Sequence, residues 1–292
     1  AKGRMANYMK KLVEERLAGK VKMEVYPSAQ LFGDNKVIEA MLLGDVQLAA
    51  PANSKFSKYT KVLQLFDLPF LFDDFDAVLR FTKTKAGISM LKSMQSKGIT
   101  TLGYVANGMK QMSASKPLRV PGDATGLKFA IKSSEVLASQ FEAIQAIPLK
   151  KPVSVVFTLL NTQAIDGQEN SWSNIFSKKF HEVQPYITET NHGVLNYTLV
   201  ASSGFWNGLP AGIRAEMDKI VGESLVYAAN VAAEKARLDR QKIIDSKRSE
   251  IIQLTPNQRA QWVEAMKPVW KQFEDQIGKD LIDAAIASNS GS

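Results

Sequence analysis

From Glu223 to Thr255 the chain carries neither Gly nor Pro, and beyond Ala233 it is dense in charge. Nothing in that stretch breaks a helix, and at about 1.5 Å of rise per residue such a helix outruns a single small domain. It reads as a strut shared by two lobes. At 292 residues the chain is long enough for one large core or two smaller ones.

The remaining pattern supplies those lobes. Met5, Met9, Leu12, Val13 and Leu17 fall near helical spacing. Val21-Lys22-Met23-Glu24-Val25-Tyr26 alternates like a half-buried strand and stops at Pro27. Val37, Ile38, Met41 and Leu42 predict a short helix with Asp34 as N-cap and Gly44 as its end. Val46 to Ala50 is the next strand, and this β-α-β order favours a parallel sheet. Leu65 to Phe72, broken by Pro69, is core or lobe-junction packing. A helix from Asp74 to Lys97, interrupted at Gly87, has Asp73, Asp74 and Asp76 complementing its dipole. Ile99 to Ala106 predicts a strand ending in a turn at Asn107-Gly108, and Lys116 to Thr125 a crossover.

In the second lobe, Leu127 to Ile131 predicts a strand, and Glu135 to Ala146 a helix capped by Ser133 or Ser134. Val153 to Ile165 predicts another helix, and Tyr197 to Ala201 a strand returning from His192-Gly193. Thr255-Pro256-Asn257-Gln258 opens a last helix through a capping box. That helix buries Trp262, Met266, Val269, Phe273 and Ile277, and Ser288 to Ser292 reads as a tail or tag remnant. The lobes are expected to comprise 1–115 with 202–245, and 116–201 with 246–287.

Composition narrows the function. Hydrophobic residues make up 45% and charged residues 23%, ordinary for a globular chain, and no run of about twenty apolar residues is present. The sequence shows no signal peptide, so it reads as cytoplasmic or as a processed mature form. A net charge of +8 raises the question of nucleic acid. The lysines are spread over the whole length without interleaved aromatics, so a solvated basic surface is the reading. There is no Cys, and the two histidines, His181 and His192, have no metal-binding spacing and read as surface or turn residues. No phosphate-cradling Gly loop and no nucleophile elbow appear. The chain reads as a binder that needs no cofactor or metal.

One stretch has the chemistry of a binding site: Ile165-Asp166-Gly167-Gln168-Glu169-Asn170-Ser171-Trp172-Ser173-Asn174. Asp166-Gly167 is a turn signal, and a turn presenting Gln, Asn and Trp suits the lip of a small-molecule pocket. This stretch, with Gly126-Leu127-Lys128-Phe129, Ser134-Glu135-Val136-Leu137, Phe180-His181-Glu182-Val183-Gln184 and Thr190-Asn191-His192-Gly193, resembles the solute-binding proteins of TRAP transporters (tripartite ATP-independent periplasmic), in their dicarboxylate-binding branch. Tyr26 to Leu31, Asp67 to Phe72 and Phe205 to Pro210 match as well, so the likeness covers essentially the whole chain.

The resemblance implies a two-lobe periplasmic-binding-protein architecture, class II-like, with hinge closure over an interlobe cleft. It also implies periplasmic location and delivery of a small organic acid to a TRAP membrane permease, with the binding protein as a monomer and not an enzyme. Members open with a strand before the first helix; here that strand is missing. The family uses Asn170 on the ligand, with Trp172 beside it, and places a second cation where Lys110 stands. Where the family has a carboxylate-clamping Arg, this chain has Ala130, and only Lys132 shares that strand face.

Val153, Val155, Phe157, Val105 and Ala106 are smaller or less polar than expected, and Asn53 and Asn196 complete the candidate ligand-binding set. These changes predict a pocket altered, by descent or by design, toward a bulkier or less acidic ligand. A sensory binding module that docks no permease is an alternative, as is an enzyme using His181 or His192.

Overall fold

The computed structural model describes residues 2–290. The chain opens with α1 (Lys2–Arg16), α2 (Val37–Leu43), the short strand β1 (Leu48–Ala49), α3 (Phe75–Lys83) and α4 (Lys85–Met90), before the long strand β2 (Ile99–Ala114). Then come β3 (Lys128–Ile131), α5 (Glu135–Ala143), β4 (Ile147–Lys150), α6 (Val153–Asn161), β5 (Gly167–Ser171) and α7 (Trp172–Ser177). A second long strand, β6 (Tyr186–Ser202), leads through α8 (Ser203–Gly208) into α9 (Ala211–Ser246). β7 (Glu250–Gln253), α10 (Pro256–Met266), α11 (Val269–Ile277) and α12 (Lys279–Ala287) follow.

The strands lie in the order β1-β6-β2-β5-β3-β4, with β7 beside β6. β1, β2 and β5 pair antiparallel along this path, while β3 is parallel to both β4 and β5, and β7 to β6. The sheet is therefore mixed, not parallel throughout as the β-α-β spacing predicted. The returning strand β6 runs beside β2 for its whole length and in the opposite sense.

Four apolar clusters build two lobes on this frame. Phe56, Phe66, Phe72 and Phe81 form one, and Met9, Leu12 and Val13 of α1 pack with Ile220 and Val221 in another. Beyond them, Phe129, Phe141, Trp262 and Met266 form a third, and Val156, Leu160, Ile175 and Ile243 a fourth. Helix α9 gives Ile220 and Val221 to one lobe and Ile243 to the other, as a shared strut must. At 36 residues it is about 54 Å long. It begins before Glu223, since Gly212 and Gly222 are exposed and their helix cost of about 1 kcal/mol each is overridden by the buried face.

Several sequence expectations change. Residues 21–26 alternate in burial, but form no strand among the described residues. Asp34 does not cap α2: it accepts from the Ala52 N–H at 3.2 Å, and Lys36 holds the cap position. The helix after Asp74 breaks at Thr84, whose hydroxyl accepts from the Gly87 N–H at 3.1 Å. Asn107-Gly108 is not a turn but a bulge, and β2 runs straight through it.

The last helix is three helices, divided at Pro268 and Gly278. Ile282 and Ala285 of α12 pack in the same apolar cluster as Phe66 and Phe81. Ser288 and Asn289 are no loose tail: Arg80 Nε donates to the Ser288 carbonyl at 2.8 Å, and Asn289 Nδ2 to the Leu71 carbonyl at 3.0 Å. Residues 291–292 lie outside the described residues.

Candidate functional site

The stretch that read as a turn is the central strand β5, buried along its whole length. Asp166 does not shape a lip; its Oδ2 accepts from the Lys128 N–H at 2.8 Å and ties β5 to β3. A strand of Gly, Gln, Glu, Asn and Ser is tolerated inside because each of its polar side chains finds at least one partner, although Gln168 Oε1 and Glu169 Oε1 have none. Gln168 Nε2 donates to Ser113 Oγ at 2.9 Å, and Asn174 Nδ2 donates to Asn170 Oδ1 at 2.9 Å. Gly167 is required for space: a Cβ there would lie 2.5 Å from the Phe129 ring and from the Ser113 carbonyl.

Alternation along the strand sends Glu169 and Asn170 to opposite faces. Glu169 meets Lys110 of β2 in an ion pair, with both side chains out of solvent. His192 Nε2 lies 3.1 Å from the same Glu169 Oε2, and His192 Nδ1 2.7 Å from Thr190 Oγ1. Burial opposes ionisation of Glu169, but Lys110 and the His192 hydrogen bond hold its carboxyl well below the usual range. Burial keeps His192 neutral, lowering it from its ordinary value. An ionised carboxylate only accepts, so Nε2 carries the proton and Nδ1 accepts from Thr190. His181 and His192 are thus buried, not surface residues: both ring nitrogens of His192 sit against an oxygen, and His181 Nδ1 lies 3.4 Å from the Ile175 carbonyl.

Beside Lys110 lies a cavity of about 10 Å³ at the junction of the lobes, room for about one water until the lobes move apart. Asn53, Ser54 and Asp67 line it from the first lobe, Lys132 from the second, and Lys110 and Asn196 from the two long strands they share. The lobes touch at its edge, where Lys55 Nζ donates to Ser133 Oγ at 3.3 Å. Asn53 Nδ2, Ser54 Oγ, Asp67 Oδ2 and Asn196 Oδ1 are all buried without a hydrogen-bond partner. Burial lowers the Lys132 ammonium to about 8 against the pull of Glu169, and raises the Asp67 carboxyl to about 6 against the pull of Lys110. Neither makes an ion pair among the described residues. Four orphaned polar atoms around one small space, with an unpaired cation, describe a place for a polar, anionic molecule.

Of the residues the sequence singled out, the cavity brings together Lys110, Lys132, Asn53 and Asn196. Ala130 packs instead among Val156, Leu160 and Ile165, in the cluster that also holds Trp172 and the edge of Phe157. Val105 faces α1 and α9 in an apolar cluster, Ala106 is buried opposite Asn196 in the strand register, and Val153 is 40% exposed at the start of α6. Asn170 points from the other face of β5, where its partner Asn174 neighbours the Tyr197 hydroxyl. Trp172 lies under the Arg240 guanidinium and lines a separate groove with Asn107, Gln111 and Asn191. Asp67 and Ser54, which also line the cavity, were not singled out in the sequence. A lone acid inside the apolar run Leu65 to Phe72 was the available signal for Asp67, since an acid there is either paired or functional.

Two lobes sharing a long helix and two long strands, with a small polar cavity at their junction, define a solute-binding protein. The sequence profile of the bacterial extracellular solute-binding proteins, family 7 (DctP), matches residues 1–276, and the chain belongs to that family. It is 62% identical to the C4-dicarboxylate-binding periplasmic protein DctP of Shewanella loihica, over 99% of this chain and 86% of the relative. The protein of the same description from Vibrio cholerae is 49% identical, with the same coverage of each chain. Among solved structures, a TRAP periplasmic solute-binding protein from Shewanella oneidensis with bound succinate superposes with a TM-score of 0.98 at 56% identity, over 99% of this chain and 95% of the other. One from Pseudomonas aeruginosa with bound L-malate gives 0.91 at 44% identity, over 93% and 94%.

Proposed function

We propose that this protein captures a small organic acid of the C4-dicarboxylate type in the periplasm and delivers it to a TRAP membrane permease. The observation that carries the reading is the interlobe cavity, where Lys132 and Lys110 face four buried, unpartnered polar atoms. Relatives described as C4-dicarboxylate-binding, at 62% and 49% identity, support the same class of ligand. In this reading Lys132 receives the ligand carboxylate. Asn53, Ser54 and Asn196 complete its hydrogen bonds, and closure of the lobes removes it from water. The protein turns nothing over; it works as a monomer that binds and releases.

Asn170 acts on closure through Asn174 and Tyr197. Two lobe assignments support that role: β5 and α7 belong to the second lobe, and Tyr197 packs with the first. A thermal-shift panel of succinate, fumarate, L-malate, short monocarboxylates and uncharged compounds of similar size tests the reading. Stabilisation that grows with the concentration of four-carbon acids, with none from the uncharged set, is the expected result. Stabilisation by the uncharged set alone would overturn it.

A further inference from the structure

The cavity is asymmetric in what it asks of a ligand. On the Lys132 side it offers an ammonium with no carboxylate partner among the described residues. On the other side it offers acceptors: Asp67 Oδ2 and Asn196 Oδ1 are both buried, both line the cavity and both lack a donor. Asp67 is 5% exposed and Asn196 3% exposed, so water at the surface does not satisfy them. Lys110 lines the same cavity and pairs with Glu169, and among the described residues it makes no hydrogen bond to Asp67.

We infer that Asp67 and Asn196 set the specificity of the site, selecting an acid that carries a hydroxyl donor beside its carboxylate over an unsubstituted dicarboxylate. This deepens the reading proposed above and rests on it. A hydroxyl can donate to Asp67 or Asn196 while the ligand carboxylate meets Lys132. An ammonium would donate as well, but it would join Lys55, Lys110 and Lys132 around one buried space, adding a fourth cation and its desolvation cost. An unsubstituted dicarboxylate brings only acceptors. It faces the Asp67 carboxylate with like charge unless a proton is taken up and shared between the two carboxyl groups.

The charged and titratable groups around Asp67 are Lys110 and Glu169 from β2 and β5, His192 from β6, Lys132 after β3, and Lys55. Burial raises the Asp67 carboxyl itself to about 6, so this uptake is accessible just below neutral pH.

Calorimetric titration of the intact chain at pH 7.5 with L-malate and with succinate tests the inference. L-malate is expected to bind at least about tenfold tighter, the scale of leaving one buried acceptor unmet. Asp67→Asn, which adds an amide donor, is expected to improve succinate and bring the ratio within about threefold. For the wild-type chain, succinate binding measured in two buffers of different ionisation enthalpy should take up close to one proton at pH 7.5, and L-malate clearly less. This arm stands if Asp67→Asn does not fold. Equal or tighter binding of succinate, or no proton uptake, overturns the inference and leaves the organic-acid reading intact. Binding of neither acid overturns both.

Discussion

Two buried groups of charge lie side by side in this protein and behave oppositely. In one, Lys110, Glu169 and His192 are in contact, and their charges and hydrogen bonds answer one another. In the other, Lys132 and Asp67 share a cavity but neither finds an ionic partner, and burial pushes each toward its neutral form. A satisfied buried charge network holds a structure in one arrangement, whereas an unsatisfied one waits for something outside the chain. The first group ties together β2, β5 and β6 where the lobes meet; in the function proposed above, the second is the part of the junction left for a ligand.

The sharpest way to break this contrast is Glu169→Ala. It strips the partner from a fully buried ammonium and should destabilise the protein by about 3–5 kcal/mol, read by urea unfolding. A loss under about 1 kcal/mol would mean that Lys110 reaches water and that the two groups do not differ.

Next in size is Asp67→Asn, read through pH. The folded-state value of Asp67, about 6, lies above its ordinary 3.8. Its contribution to stability is therefore fully present below about 4 and lost as pH rises through 6. His192 works in the opposite sense: held neutral by burial, it lowers stability as pH falls below its ordinary 6.5. With Asp67 replaced, its opposing trend is gone, so stability between pH 4 and 6 should rise more steeply with pH than in the wild type, by about 2 kcal/mol across the window. Identical slopes would show that Asp67 is solvated.

Smaller still is Gly193→Ala. A Cβ there would lie 2.8 Å from Lys110 Cε, and a side chain pinned by Glu169 cannot step aside freely. The loss should be on the order of 1 kcal/mol by thermal unfolding, whereas a freely moving Lys110 would make it neutral.

The sequence exposed one side of this contrast better than the other. The strut was legible because an uninterrupted helical stretch has few other uses, but it ends at Ser246 and Glu250–Gln253 of the same stretch form β7; the Thr255 capping box forms as read, with Gln258 N–H donating to Thr255 Oγ1 at 3.2 Å. The apolar run Leu65 to Phe72 is buried throughout, as its composition required. Lys110, Lys132, Asn53 and Asn196, singled out in the sequence, line one cavity, and their neighbour Asp67 was passed over within that apolar run. β5 was not legible as a strand. Gly-Gln-Glu-Asn-Ser defies strand propensity, and its burial depends on partners far along the chain: Lys110, Ser113 and His192. The bulge at Gly108 imitates a turn for the same local reason, since only the register with β6 shows that the strand continues. Periodicity reports which face of a segment is buried; it does not report which distant side chain makes a buried carboxylate stable.

The most direct test of the account is a calorimetric comparison of wild type and Lys132→Met with L-malate at pH 7.5, alongside urea unfolding of both ligand-free proteins. An unpaired, partly desolvated ammonium contributes to binding and not to the fold. Lys132→Met should therefore weaken the acid by about thirtyfold or more, the scale of a lost charge-assisted hydrogen bond, with unfolding free energy unchanged or slightly raised. Unchanged affinity in a stably folded Lys132→Met protein would contradict the assignment of this cavity as the ligand site.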